Sequence, residues 1–235
     1  AGNYISEGGI KINKALTVKA ADGAEVIVDH VELGLNYNDA AVEYMTVQGL
    51  TIKPQTYNGG DWQISGVWQN SRAIGAITVQ DCIFDFSTTP AAPVNVGIKM
   101  SRSNGGDSIE SVTITGCTFN CSETTANAVT MGDKGKIKSI NISDNTVNNG
   151  CTSSAIHMDM GFQNSDPVEI TIDGNEINDV SKRGIMIANV KNDEAEISIT
   201  GNTVEGASVG IEFYNTCSNA KSVKIDNNKI SNVKT

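Results

Sequence analysis

Short runs in which aliphatic and polar residues alternate recur along the whole chain, and most follow one template. They are Val47-Gln-Gly-Leu-Thr-Ile52, Val79-Gln-Asp-Cys-Ile-Phe84, Ile114-Thr-Gly-Cys-Thr-Phe119, Ile142-Ser-Asp-Asn-Thr-Val147, Ile172-Asp-Gly-Asn-Glu-Ile177, Ile199-Thr-Gly-Asn-Thr-Val204 and Ile225-Asp-Asn-Asn-Lys-Ile230. The template is an aliphatic, two turn residues, Asn or Cys (Leu50 in the first copy), one further residue, then an aliphatic or Phe. Its copies are spaced by 32, 35, 28, 30, 27 and 26 residues, and Val18 fits 29 residues before the first as a degenerate copy. A second file keeps phase with it: Gly9-Ile-Lys-Ile12, Leu33-Gly-Leu35, Gly66-Val-Trp68, Gly97-Ile-Lys-Met100, Ala128-Val-Thr-Met131, Ala155-Ile-His-Met158, Gly184-Ile-Met-Ile187 and Gly210-Ile-Glu-Phe213.

Two files sharing one variable period are the mark of stacked repeats. Alternation of period two predicts short strands with one face inward. Repeats of this length, stacked so that each strand pairs in parallel with its counterparts, predict an all-β, right-handed parallel β-helix of about eight coils. Residues 1–235 are read as a single domain of this kind. The position three after the first anchor reads Cys82, Cys117, Asn145, Asn175, Asn202, Asn228. Asn tolerates the left-handed conformation of a tight corner, and stacked amides hydrogen-bond along the axis, so this file is read as structural. Cys82 and Cys117 enter it as small buried hydrophobes. Of the five cysteines, Cys121 and Cys151 are the better candidates for a bridge, because they follow the anchors of adjacent coils. The odd count leaves at least one thiol unpaired or paired between molecules.

Composition agrees with a solenoid. Hydrophobic residues make up 39% and aromatics 5%, enough for a thin inward file but lean for a globular core, while 23 Gly against 4 Pro favour tight turns. The net charge of −10 argues against nucleic acid, whose binding needs clustered Lys and Arg, and against a polybasic membrane anchor. No apolar run approaches the ~18 residues of a membrane span. With two histidines and no Cys-x-x-Cys pair, no metal site is predicted. The chain begins without Met, which fits either a removed signal peptide or a shortened chain. No cap is evident at either end, so the sequence is read as a piece of a longer secreted or surface protein, or as one whose end coil packs on a partner in an oligomer.

The opening Gly2-Asn-Tyr-Ile-Ser-Glu-Gly-Gly-Ile-Lys-Ile, the following Leu-Thr-Val-Lys-Ala-Ala-Asp-Gly-Ala-Glu-Val-Ile-Val-Asp29 and the later Gly-Ile and Ile-x-x-Asn-x-Ile rungs resemble the pectin-lyase-like superfamily over essentially the whole chain. That resemblance implies a scaffold and an extracellular or cell-surface location, not a reaction. The superfamily includes polysaccharide lyases, glycoside hydrolases, carbohydrate esterases, tailspikes, adhesins and surface proteins without known activity. The clustered Ca²⁺-binding acids and Arg motif of its lyases are missing here. So are the Asn-x-Asp, Asp-Asp and Arg-x-Lys set of its polygalacturonase-like hydrolases.

Candidate chemistry follows from which side chains point outward. From the second file they form the column Lys11, Gly34, Val67, Lys99, Thr130, His157, Met186, Glu212, and a parallel column two residues on includes Gln69, Asp159 and Tyr214. His157 and Asp159, at i and i+2, share a face about 7 Å apart, a spacing that suits a histidine base beside a carboxylate. Asp159 and Glu212 sit two coils apart, about 10 Å along the axis, within reach of the carboxyl separation used by inverting glycosidases. Lys99 and Arg102 are, by the resemblance, candidates for the basic residue that lyases use. Long loops near 53–66 and 85–97 carry Tyr57 and Trp62, which suit stacking on sugar rings; Trp68 is assigned to the core. The outward file Thr46, Thr78, Thr113, Asn141, Thr171, Ser198 has too irregular and charged a companion column for an ice-binding array. Two functions follow: a module that binds a polysaccharide, and that as a lyase or hydrolase also cleaves it, or a non-catalytic, adhesin-type surface scaffold. No cofactor is required, with Ca²⁺ left as an optional ligand.

Overall fold

The computed structural model describes residues 1–235 except 35–39, 59–62, 71–72, 93, 102–107, 133–135, 161–167, 216, 218 and 235. Three parallel sheets wind around one core. Sheet C takes the first half of each template, sheet A the second half and sheet B the second file; the chain repeats the order C, A, B. They hold eight, nine and eight strands, and every strand pairing is parallel. Register follows the template: Thr78 lies beside Thr113, then Asn141, Thr171 and Ser198. Among the described residues the only helical turn is Ile5–Glu7, and no helix is long and apolar enough to cross a membrane.

The solenoid has about six regular turns rather than the eight expected. The earliest rungs join the same sheets through strands of three or four residues, such as Ile10–Ile12, Leu16–Lys19 and Val31–Leu33, and lack the Cys/Asn file. That file runs through the six turns that follow.

The corners explain the template. Its aliphatics (Val79, Ile114, Ile142, Ile172, Ile199 and then Phe84, Phe119, Val147, Ile177, Val204) are buried in one continuous cluster, with the Phe84 and Phe119 rings stacked at 4.6 Å. Left-handed backbone falls on the residue before the Cys/Asn position: Asp81 (φ 54°), Gly116, Asp144, Gly174, Gly201 and Asn227. The asparagines of the file are therefore not placed there for left-handed backbone, as the sequence suggested, but for hydrogen bonding. Asn145, Asn175 and Asn202 each send their backbone N–H and side-chain amide to the Oδ1 of the next Asn, at 2.9 to 3.1 Å. Each Nδ2 also donates to an anchor carbonyl one rung back: Ile114, Ile142 and Ile172.

Cys82 and Cys117 imitate this geometry with a thiol. Cys117 Sγ reaches the Val79 carbonyl, one rung back, and the Thr115 carbonyl, two residues back, matching Asn175 on Ile142 and Asp173. Cys82 does the same with Val47 and Gln80. All five cysteines are buried and unbridged, so none offers a surface thiol for pairing between molecules. On the C-terminal rung Ile225 and Ile230, which hold inward positions of the template, are 51% and 45% exposed.

Candidate functional site

The outer face of sheet B gathers the polar chemistry. Pairing registers fix its central column as Lys11, Glu32, Trp68, Lys99, Thr130, His157, Met186 and Glu212. Two early positions differ from the sequence reading. Val67 faces the core, and Gly34 lies past its strand in a left-handed conformation (φ 66°), so Trp68 and Glu32 occupy those outward places. Gln69, expected to contact a ligand, points inward in register with Met100 and is 0% exposed, so it cannot reach one. Trp68, assigned to the core, is half-buried on the outer face. Asp159 and Tyr214 hold the expected second column, with Ala188 between them.

Preceding loops wall one side of this face. Tyr57 is exposed, and its hydroxyl donates to the Ala91 carbonyl at 3.4 Å, tying the two long loops together. Asn58 brackets Ser65 like a strand partner, accepting from its N–H at 3.0 Å and donating to its carbonyl at 2.7 Å. Gln63 donates to the Ser65 hydroxyl and accepts from Lys99 Nζ at 2.5 Å. Trp62 and Arg102 lie outside the described residues.

Further along the column His157 stands between Thr130 and Met186. Burial lowers its pKa below the usual histidine value; Asp159 pulls it partly back up, and Arg183 adds a smaller downward push. The ring is therefore neutral at pH 7. Its Nδ1 and the neighbouring Thr130 Oγ1 are buried and have no hydrogen-bond partner among the described residues. Such orphaned atoms are uncommon and mark where an ordered water belongs. Asp159 accepts from Asn189 Nδ2 at 2.8 Å, and Glu212 is bound by Arg183 Nε.

The four residues singled out for catalysis do not converge. Lys99 and Glu212 are four rungs apart, about 19 Å, with His157 midway. His157 and Asp159 remain the one close pair. An open depression of about 280 Å³ lies elsewhere, on the outer face of sheet C between Glu169, Thr171, Glu196, Ser198, Ser222 and Lys224, and contains none of the candidates.

A charged cluster that sequence reasoning missed sits at the start of the same column. Asp29, His30 and Glu32 are nearly fully buried; His30 Nε2 lies 3.1 Å from Glu32 Oε1, and its Nδ1 lies 3.3 Å from both Asp29 Oδ2 and Thr56 Oγ1. The Gln55 N–H donates to Asp29 Oδ1 at 2.6 Å, the Thr56 hydroxyl to Oδ2, and Lys11 Nζ lies 3.9 Å from Glu32. Burial acts to lower the His30 pKa, but the bonds to Asp29 and Glu32 outweigh it and raise it to about 9. Burial likewise works to raise the Asp29 pKa, and the bonds from His30, Thr56 and Gln55 reverse it. Register places His30 where other coils have Gly9 and Gly66, and a side chain on Gly9 would overlap the imidazole. Three ionisable residues within Asp29-His30-Val31-Glu32, in a chain with two histidines, were the available signal. With His30 only 4% exposed, the cluster serves as a staple holding the loop at Gln55 and Thr56 against the first coils. Among the described residues no group of three or more His, Cys, Asp or Glu is arranged to hold a metal ion.

No family model, curated protein or solved structure matches the chain.

Proposed function

We propose that the chain is a carbohydrate-binding β-helix module of pectin-lyase-like type, working outside the cell or at its surface, that holds a glycan along the outer face of sheet B. The observation that carries this reading is the outward position of Trp68, flanked by Glu32 and Lys99 in one straight column. An aromatic face beside fixed polar groups suits a sugar ring, which presents apolar C–H faces and a rim of hydroxyls. One and two rungs on from Lys99, Thr130 and His157 continue the column as half-buried polar side chains. Binding is favoured over cleavage because Glu212 and Asp159 are engaged by Arg183 and Asn189, and the candidates lie along a line instead of around one bond.

The test is a panel of neutral and acidic polysaccharides, with and without Ca²⁺, following both retention of the protein on glycan and release of new chain ends. Trp68→Ala is expected to weaken retention by about 30-fold, the effect of removing a central aromatic anchor worth about 2 kcal/mol. Retention equal to that of the unaltered protein would sink this placement of the site. Chain-end release lost in His157→Ala would add catalysis at the His157–Asp159 pair. If nothing on the panel is retained, the adhesin-type scaffold takes its place.

A further inference from the structure

Five buried thiols sort into two neighbouring pairs and a single residue. Cys82 and Cys117 follow each other in the corner ladder, and both thiols are committed to backbone carbonyls there. Cys217 is alone, with its sulfur 3.5 Å from the Ile187 carbonyl. Cys121 and Cys151 differ. Their sulfurs lie 3.0 Å apart on successive coils, neither has a carbonyl partner among the described residues, and both side chains are buried. That separation is only about 1 Å beyond a bonded pair.

We propose that Cys121 and Cys151 form a disulfide that ties two middle coils of the solenoid together when the protein folds in an oxidising compartment. The oxidant class is a small-molecule or protein disulfide, for which glutathione disulfide serves as the probe. The Cys121 thiolate attacks one glutathione sulfur and expels a glutathione thiolate. The Cys151 thiolate then attacks the Cys121 sulfur of the mixed disulfide and expels the second. Two protein thiols are oxidised, one glutathione disulfide is reduced to two glutathiones, and the two protons pass to the leaving thiolates. Contact with Cys151 and burial both hold the Cys121 thiol protonated in the finished fold, so the exchange belongs to folding, before the coils close. The loop that the bridge closes spans 30 residues from Cys121 to Cys151, and it includes the Asn145 rung.

The protein is produced by secretion into an oxidising compartment, unfolded in the presence of an alkylating agent, and digested without reduction. The expected result is one linked pair of peptides carrying Cys121 and Cys151, with Cys82, Cys117 and Cys217 alkylated. Reduction of the folded protein, or the double substitution Cys121→Ser with Cys151→Ser, is expected to lower the thermal midpoint by about 5–10 °C. Five alkylated cysteines, or a bridge joining any other pair, would overturn the proposal. So would a bridge at Cys121 to a second molecule. Because the mapping uses the unaltered chain, a double variant that fails to fold leaves the result readable.

Discussion

Asn175→Ala is expected to destabilise the protein by about 2–4 kcal/mol, among the largest effects of any single polar substitution in the chain. The Asn175 amide is at the centre of the corner ladder. Its Oδ1 accepts from both the N–H and the Nδ2 of Asn145, and its own Nδ2 donates to the carbonyls of Ile142 and Asp173 and to Asn202 Oδ1. Alanine keeps the backbone but strands the buried Asn145 N–H and leaves the Ile142 carbonyl one donor short. Stranding a buried donor costs its full desolvation, whereas the lost bonds alone would cost less. Position along the ladder sets the magnitude. Asn228 Oδ1 accepts the same pair of bonds from Asn202, but Asn228 is only half-buried and water can take over the acceptor, so Asn228→Ala is expected to cost about 1 kcal/mol. Urea unfolding of the two variants side by side checks the claim. Equal losses would show that the ladder is not what holds the corner.

The second large effect is a dependence on pH centred on His30. In the folded chain this histidine titrates at about 9, against an ordinary value of 6.5. Proton binding therefore favours the folded state by about 3 kcal/mol, a contribution fully present below pH 6.5. It is lost progressively as pH rises from 6.5 and is gone above about 9, where the neutral ring no longer attracts Asp29 and Glu32. Asp29, with its depressed pKa, acts at the other end, and its contribution disappears in acid below its ordinary value of 3.8. Stability is thus expected to be greatest between about pH 4 and 6.5 as far as this cluster decides it. Unfolding at pH 6 and at pH 9.5 should differ in the unaltered protein and much less in His30→Gln. A flat profile across that interval would show that the staple carries no charge.

What could be read from the sequence was what repeats. The Asn file, the two columns of the later coils and the parallel register follow from period alone, since every coil from Val79 onward states them again. The errors lie where a coil breaks its own rule. Gln69 occupies a core position that is Met, Ile or Phe in the later coils, so an apolar template aligns Trp68 there and sends the indole inward by mistake. In the first coils Leu33-Gly-Leu35 imitates the template while the strand is Val31–Leu33. The charged staple was only half legible: Asp29, His30 and Glu32 stand together in the chain, but Thr56 and Gln55, which only the winding of the chain brings to Asp29, carry no sign of it. Non-repeating contacts have no periodic signal.

The parallel register also governs how this chain must find its fold. Partners in the ladders are separated by 21 residues at the nearest, Ile10 and Val31, and by 36 at the farthest, Val31 and Val67. No strand can therefore zip up with a neighbour across a tight turn, and each pairing has to close a loop before any contact rewards it. The first two rungs to meet carry that entropic burden with no template beneath them. Every later rung adds to an existing edge, where the Asn at its corner finds an acceptor or donor already in place. Assembly is accordingly slow to begin and quick to propagate.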